Sequence, residues 1–152
     1  MTTDRDDVIG TLNNLIETCK DGENGFHAAS EKVVNAKLKT FFEDFSKQRA
    51  RFAAQLQEEV RNLGGDPEKS GSAAASLHRG WMDIKATVTG DDDGPIISEC
   101  ERGEDSAVQN YKEALEEDLP PSVRSLVEKQ FAAIKQAHDQ IRALELTKSA
   151  RS

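Results

Sequence analysis

Strand-forming alternation is what this sequence lacks most: aromatic residues make up 5% of its 152, and β-branched and aromatic side chains nowhere alternate with polar ones as a half-buried strand requires. Its stock of Ala, Glu, Lys, Leu and Gln favours helices instead. Positive charge is also short, with 20 Lys and Arg against 28 Asp and Glu and a net charge of −8. Nucleic acids and anionic membranes select basic surfaces, so both are set aside as partners. No apolar run is long enough to span a bilayer, and the opening MTTDRDDVIG lacks the basic start and apolar stretch of an export signal. The cytoplasm is the expected compartment. With only two cysteines, Cys19 and Cys100, far apart in a chain of this length, reduced thiols are expected rather than a disulfide framework. There is no Cys-x-x-Cys pair, no phosphate-binding glycine loop and no nucleophile beside a base. Asp91, Asp92 and Asp93 lack the alternating spacing of a calcium loop and read as a turn.

What is present is helical periodicity in four long segments. The first follows TTD, where Thr3 can cap and Asp6 sits three residues on; it carries Val8, Leu12, Ile16, Cys19, Phe26 and Val33 and should end near Asn35. The second carries Leu38, Phe41, Phe42, Phe45, Phe52, Leu56 and Val60 and stops at Gly64 and Gly65, with Pro67 behind them. The third starts after DDDG with Pro95 at a first helical position and is broken by LPP. The fourth carries Val123, Val127, Ile134, Ile141 and Leu144. Short links make two antiparallel hairpins. Between them, a stripe of Ala74, Leu77, Trp81, Ile84 and Val88 predicts a shorter helix in a crossover over 64–94, with Trp81 anchoring it to the bundle. At ~1.5 Å per residue such a helix returns ~25 Å along a bundle. One all-α domain is expected over 1–147, followed by a frayed polar tail at 148–152.

The chain repeats itself. A shift of 81 residues aligns Ile16 with Ile97, Cys19 with Cys100, Gly22 with Gly103, Glu23 with Glu104 and Leu63 with Leu144, and places Arg49 opposite Gln130. Each hairpin therefore reads as a diverged copy of the other, which makes a four-helix bundle with approximate two-fold symmetry. Glu23 and Glu104 fall on inward steps of their helices, where an ionised carboxylate needs a cation, a metal or several donors. The second and fourth helices break their apolar stripes as well, at Gln48 or Arg49 and at Gln130. All four helices place a polar group at mid-bundle. Gly22 and Gly103 suggest close approach of backbones. His27 and His78 have no metal-like partner at helical spacing and should face solvent, while His138 sits at the boundary beside Ala137 and Asp139.

The stretches LIETCKDGENGF at 15–26, LHRGW at 77–81, ECERGEDSAVQNYKEAL at 99–115 and the pair His138 and Asp139 resemble an uncharacterised bacterial four-helix-bundle family within the ferritin-like superfamily. The resemblance implies a ferritin-like bundle with a long crossover. In the superfamily's metal-binding members one Glu on each of two helices and a Glu-x-x-His on each of the others hold two metal ions. Glu23 and Glu104 match the lone glutamates. The counterparts of the Glu-x-x-His pairs read Gln48-Arg49-Ala50-Arg51 and Gln130-Phe131-Ala132-Ala133, with neither glutamate nor histidine. Amides and a guanidinium remove the negative charge that offsets a dinuclear centre.

The expectation is therefore a non-catalytic bundle with a degenerate metal site and a polar core layer of Gln48, Arg49 and Gln130. It would act as a structural or interaction module, through self-association as a homodimer or an unidentified protein partner, with a stress-related setting implied by the resemblance and no cofactor. The alternative is a metal-binding or redox protein in which Glu23, Glu104 and His138 hold iron or another divalent metal.

Overall fold

The computed structural model describes residues 5–67 and 92–151, with side chains through Leu144. Four helices make up the fold among the described residues, with no strand: α1 (Arg5–Lys32), α2 (Ala36–Asn62), α3 (Gly94–Glu116) and α4 (Pro121–Arg151). The stripe at Ala74 to Val88, Trp81 and His78 lie outside the described residues. Helix α1 ends at Lys32, three residues short of the expected Asn35. Asn35 caps α2 instead, its side-chain oxygen accepting from the N–H groups of Lys37 and Leu38. A helix start leaves such donors without intrahelical partners, and a short Asn side chain reaches back to two of them. At the far end of α2 the chain leaves through Gly64 at φ 81°, a left-handed conformation that glycine adopts without steric cost. Residues 148–151 correct the expected frayed tail: they continue α4 as helical backbone, because no Pro or Gly interrupts the helix formers before Arg151.

Two apolar clusters set the direction of the helices. One joins Leu12, Leu15 and Ile16 of α1 to Leu56 and Val60 of α2, Tyr111 of α3, and Val123 and Val127 of α4. The other joins Phe26 and Val33 of α1 to Phe42 of α2, Ile96, Ile97 and Cys100 of α3, and Ile141 of α4. The first half of α1 thus shares a cluster with the last halves of α2 and α3, so α1 and α4 run one way and α2 and α3 the other. Helix α1 packs along both α2 and α3, α3 packs on α4, and α2 touches α4 only sparsely. Burying each large apolar side chain contributes about 1.5–3 kcal/mol, and Leu12, Leu56, Phe26, Phe42, Ile134 and Ile141 are all sealed from solvent. Four phenylalanines pack together at the second cluster, with ring centroids 5.9 Å apart for the stacked Phe26 and Phe42, 5.3 Å for the tilted Phe26 and Phe45, and 4.6 Å for Phe41 and Phe45, which meet edge to face.

Both ends of the bundle are tied by charged side chains. The buried Asp93 carboxylate accepts from the N–H groups of Val34 at 2.8 Å and Asn35 at 3.0 Å, joining the start of α3 to the link between α1 and α2. Arg124 of α4 donates to the carbonyls of Leu115 at 3.1 Å and Glu117 at 2.6 Å, where α3 leaves its last carbonyls unpaired. Asp93, read from sequence as part of a turn, is therefore a clamp between the two hairpins.

Candidate functional site

Between the two apolar clusters lies a polar layer, and its centre is an ion pair. Arg49 projects from α2 between Phe45 and Phe52 and is 1% exposed; Glu104 projects from α3 and is 0% exposed. Nη1 of Arg49 donates to Oε1 of Glu104 at 2.5 Å and Nη2 donates to Oε2 at 2.6 Å. Two parallel bonds of this kind use the whole fork of the guanidinium and both oxygens of the carboxylate. The remaining Nε–H donates to Oε1 of Gln48 at 3.3 Å. One face of the guanidinium lies over the Phe26 ring, 5.3 Å from its centroid. Burial by itself lowers the pKa of Arg49, but the charge and hydrogen bonds of Glu104 outweigh it and hold the group above its ordinary range.

Gly22 of α1 makes room for this side chain. A Cβ built there would sit 3.2 Å from Cγ and 3.3 Å from Nη1 of Arg49. The close approach expected of Gly22 is thus an approach to a side chain and not to a backbone. Nearby, the Ser46 hydroxyl of α2 donates to the Glu23 carbonyl at 2.8 Å, fixing α1 against α2 at this height.

A second chain of polar groups runs beside the ion pair. Tyr111 donates its hydroxyl proton to Oε1 of Gln130 at 2.7 Å. Gln130 in turn donates through Nε2 to Oε1 of Gln55 at 2.9 Å and to the Phe52 carbonyl at 3.2 Å, which fixes the orientation of its amide. With the phenol proton committed, the 3.1 Å contact between Cys19 Sγ and the Tyr111 oxygen places the thiol as donor. The order Cys19, Tyr111, Gln130, Gln55 is therefore one of donors passing inward to outward, with Gln55 at the exposed end.

Burial pushes the Cys19 thiol up to about 11, against the lowering influence of the Arg49 charge. Cys100 and Tyr111 are also held well above their ordinary values, by burial first and by the charge of Glu104 among the smaller causes. Each of these groups keeps its proton in the folded state at a pH where the unfolded chain releases it. Their contribution is therefore intact below the ordinary cysteine pKa of about 8.5 and is lost as the pH rises from there. Thermal unfolding followed from pH 7 to pH 11 is expected to show a midpoint that holds to about 8.5 and then falls; a midpoint level across that range would contradict the buried, hydrogen-bonded thiols.

The structure separates residues that the repeat aligns. Glu104 is sealed and paired, whereas Glu23 is half-buried and makes no side-chain hydrogen bond or ion pair among the described residues. The physical reason lies in their partners: Arg49 supplies one cation, and its repeat mate Gln130 is a neutral amide that offsets no second buried carboxylate. Cys19 and Cys100 are free thiols in different apolar clusters, on either side of the polar layer. His27 faces solvent beside Glu31 at 3.3 Å. Gln48, Arg49 and Gln130 all line the polar layer, and Tyr111, Gln55, Ser46 and Phe26 complete it. Those four were missed as polar-layer members in the sequence; the one available signal was a tyrosine on a core step, since a buried phenol needs a partner for its hydroxyl.

The alternative metal set is corrected by the geometry. His138 does not turn toward Glu23 and Glu104; its Nε2 meets Oδ1 of Asp105 at 2.5 Å and its Nδ1 meets Oδ1 of Asp139 at 3.3 Å. Both oxygens of Glu104 are taken by a cation that does not deprotonate, so the core residues do not fit a metal ion. Among the described residues the donor atoms that come within 4.8 Å of one another belong to Glu101, Asp105 and His138, at the outer edge of α3 and α4. There Arg142 already approaches Glu101 at 3.7 Å.

Comparison with known proteins adds a family and a fold. A family described as a domain of unknown function, DUF2383, matches residues 7–117. No curated protein matches the chain. Among solved structures, a two-domain protein from Anabaena variabilis with DJ-1/ThiJ/PfpI-like and ferritin-like domains superimposes with a TM-score of 0.79 at 16% identity, over 96% of this chain and 41% of that one. A Dps1 mutant from Mycobacterium smegmatis superimposes with a TM-score of 0.79 at 18% identity, over 95% of this chain and 99% of that one. At these identities the likeness is one of fold, a ferritin-like four-helix bundle.

Proposed function

The chain belongs to the DUF2383 family of unknown function, and from that premise we propose that it is a non-catalytic ferritin-like module whose mid-bundle position is closed by its own ion pair. It acts as a structural or interaction protein, by self-association or with a protein partner, in the cytoplasm; the superfamily resemblance supports a stress-related setting. The observation that carries this reading is the pair of parallel hydrogen bonds from Arg49 to Glu104, at a place 1% and 0% exposed. A redox metal centre needs negative ligands that converge on an open position. Here the position opposite Glu104 holds a fixed positive charge, and the imidazole expected to complete the set is half-buried beside the exposed Asp105. The net charge of −8 disfavours nucleic-acid partners. Among the described residues no helix is long and apolar enough to cross a membrane.

Metal content tests the reading. The purified protein is analysed for iron, manganese and zinc before and after incubation with each, together with Glu104→Gln for the core and His138→Gln for the surface group. No metal that depends on Glu104 is expected. Stoichiometric metal in the native protein that disappears in Glu104→Gln would overturn the proposal and call for oxidase assays. Metal lost only in His138→Gln would place uptake at the surface and leave the core reading standing.

A further inference from the structure

We infer that the mid-bundle position is a built guanidinium receptor, formed by α1, α3 and the neighbouring Gln48 of α2 around the Arg49 head group, and not a metal site that has merely shed ligands. The inference deepens the reading above, that the core takes no metal, and rests on it. A decayed metal site would leave amides and an arginine in loose arrangement. Instead, each edge of one planar cation is matched by a different residue. Glu104 takes the fork through two parallel bonds, at 2.5 and 2.6 Å. Phe26 lies under the face at 5.3 Å. Gln48 takes the Nε–H at 3.3 Å. Gly22 supplies the missing volume, since a Cβ there would stand 3.3 Å from Nη1 and 3.2 Å from Cγ.

These features suit a flat monocation and not a spherical divalent ion. A metal gains nothing from an aromatic face and calls for several converging anionic donors, whereas Cys19 beside the pair keeps its proton and Glu23 does not reach it. Arginine also differs from lysine here, because only the planar fork fills both oxygens at once. The ligand class of the site is a guanidinium, which the protein supplies from its own α2.

Two experiments test this. In the first, Arg49→Ala is melted with guanidinium chloride at concentrations far below those that denature, against matched sodium chloride and against zinc or manganese. The variant is expected to melt higher with guanidinium, the native protein is expected not to, and the metals are expected to give no rise. A variant that folds only when guanidinium is present supports the inference equally. A rise with metal but not with guanidinium overturns it. The second experiment avoids a buried unpaired charge. Gly22→Ala is made in the native protein and in Arg49→Ala/Glu104→Gln. Its effect should change sign, lowering the melting temperature by about 2–4 °C where Arg49 fills the space and raising it by about as much where the space is empty and only helix propensity acts. The same sign in both backgrounds overturns the inference. Failure of the parent reading is separate, since it is metal bound by the native protein through Glu104.

Discussion

Arg49→Ala is expected to lower folding stability by about 3–5 kcal/mol, the largest single-residue loss in the molecule outside the apolar core. The loss does not measure the worth of the ion pair. It measures what remains: Glu104, sealed between α1, α2 and α3, without the cation that both of its oxygens contact. A double change to Arg49→Met/Glu104→Leu removes both charges and keeps the volume, so it is expected to recover most of the loss. Urea unfolding of the native protein, the single variant and the double variant checks both statements. A loss below about 1 kcal/mol for Arg49→Ala would mean that Glu104 finds water or another donor, and would sink the ion pair as the organiser of the core.

Tyr111→Phe is expected to cost about 1–3 kcal/mol by leaving Oε1 of Gln130 buried without a donor. The ring and its packing are retained in this variant, so the effect isolates one hydroxyl. Gln130 keeps its bonds to Gln55 and the Phe52 carbonyl through Nε2, which prevents the amide from turning to find another partner. Replacing both members, Tyr111→Phe with Gln130→Leu, is expected to bring stability back toward the native value, because the buried Gln130 oxygen goes with its donor and only the weak Cys19 thiol donor is left without its acceptor. Denaturant midpoints for the two singles and the double form the cycle. If the double variant is no more stable than Tyr111→Phe, the hydrogen bond is not what the phenol contributes.

Much of this architecture was legible from residue order. The helix stripes, the stop at Gly64 and the break at LPP together indicated four helices in two hairpins, and the inward step of Glu104 marked the height of the polar layer. Periodicity reports which face of a helix is buried, and that is a local property of the chain. It does not report which of two symmetric carboxylates a single cation will choose. Glu23 and Glu104 align at a shift of 81, yet only Glu104 meets Arg49, and His138 meets Asp105. Partner choice across a bundle depends on side-chain reach between helices distant in sequence, as with the contacts between Cys19 and Tyr111 and between Asp93 and Val34.

The sequence by itself determined that this is an all-helical bundle with a polar step in each helix, since helical period, breakers and charge are written residue by residue. Only the tertiary structure decided what those steps amount to. A guanidinium and a carboxylate 55 positions apart meet in a space that Gly22 leaves open, and in a water-excluded interior an ionised group is tolerated only where its counter-charge and donors arrive from other helices.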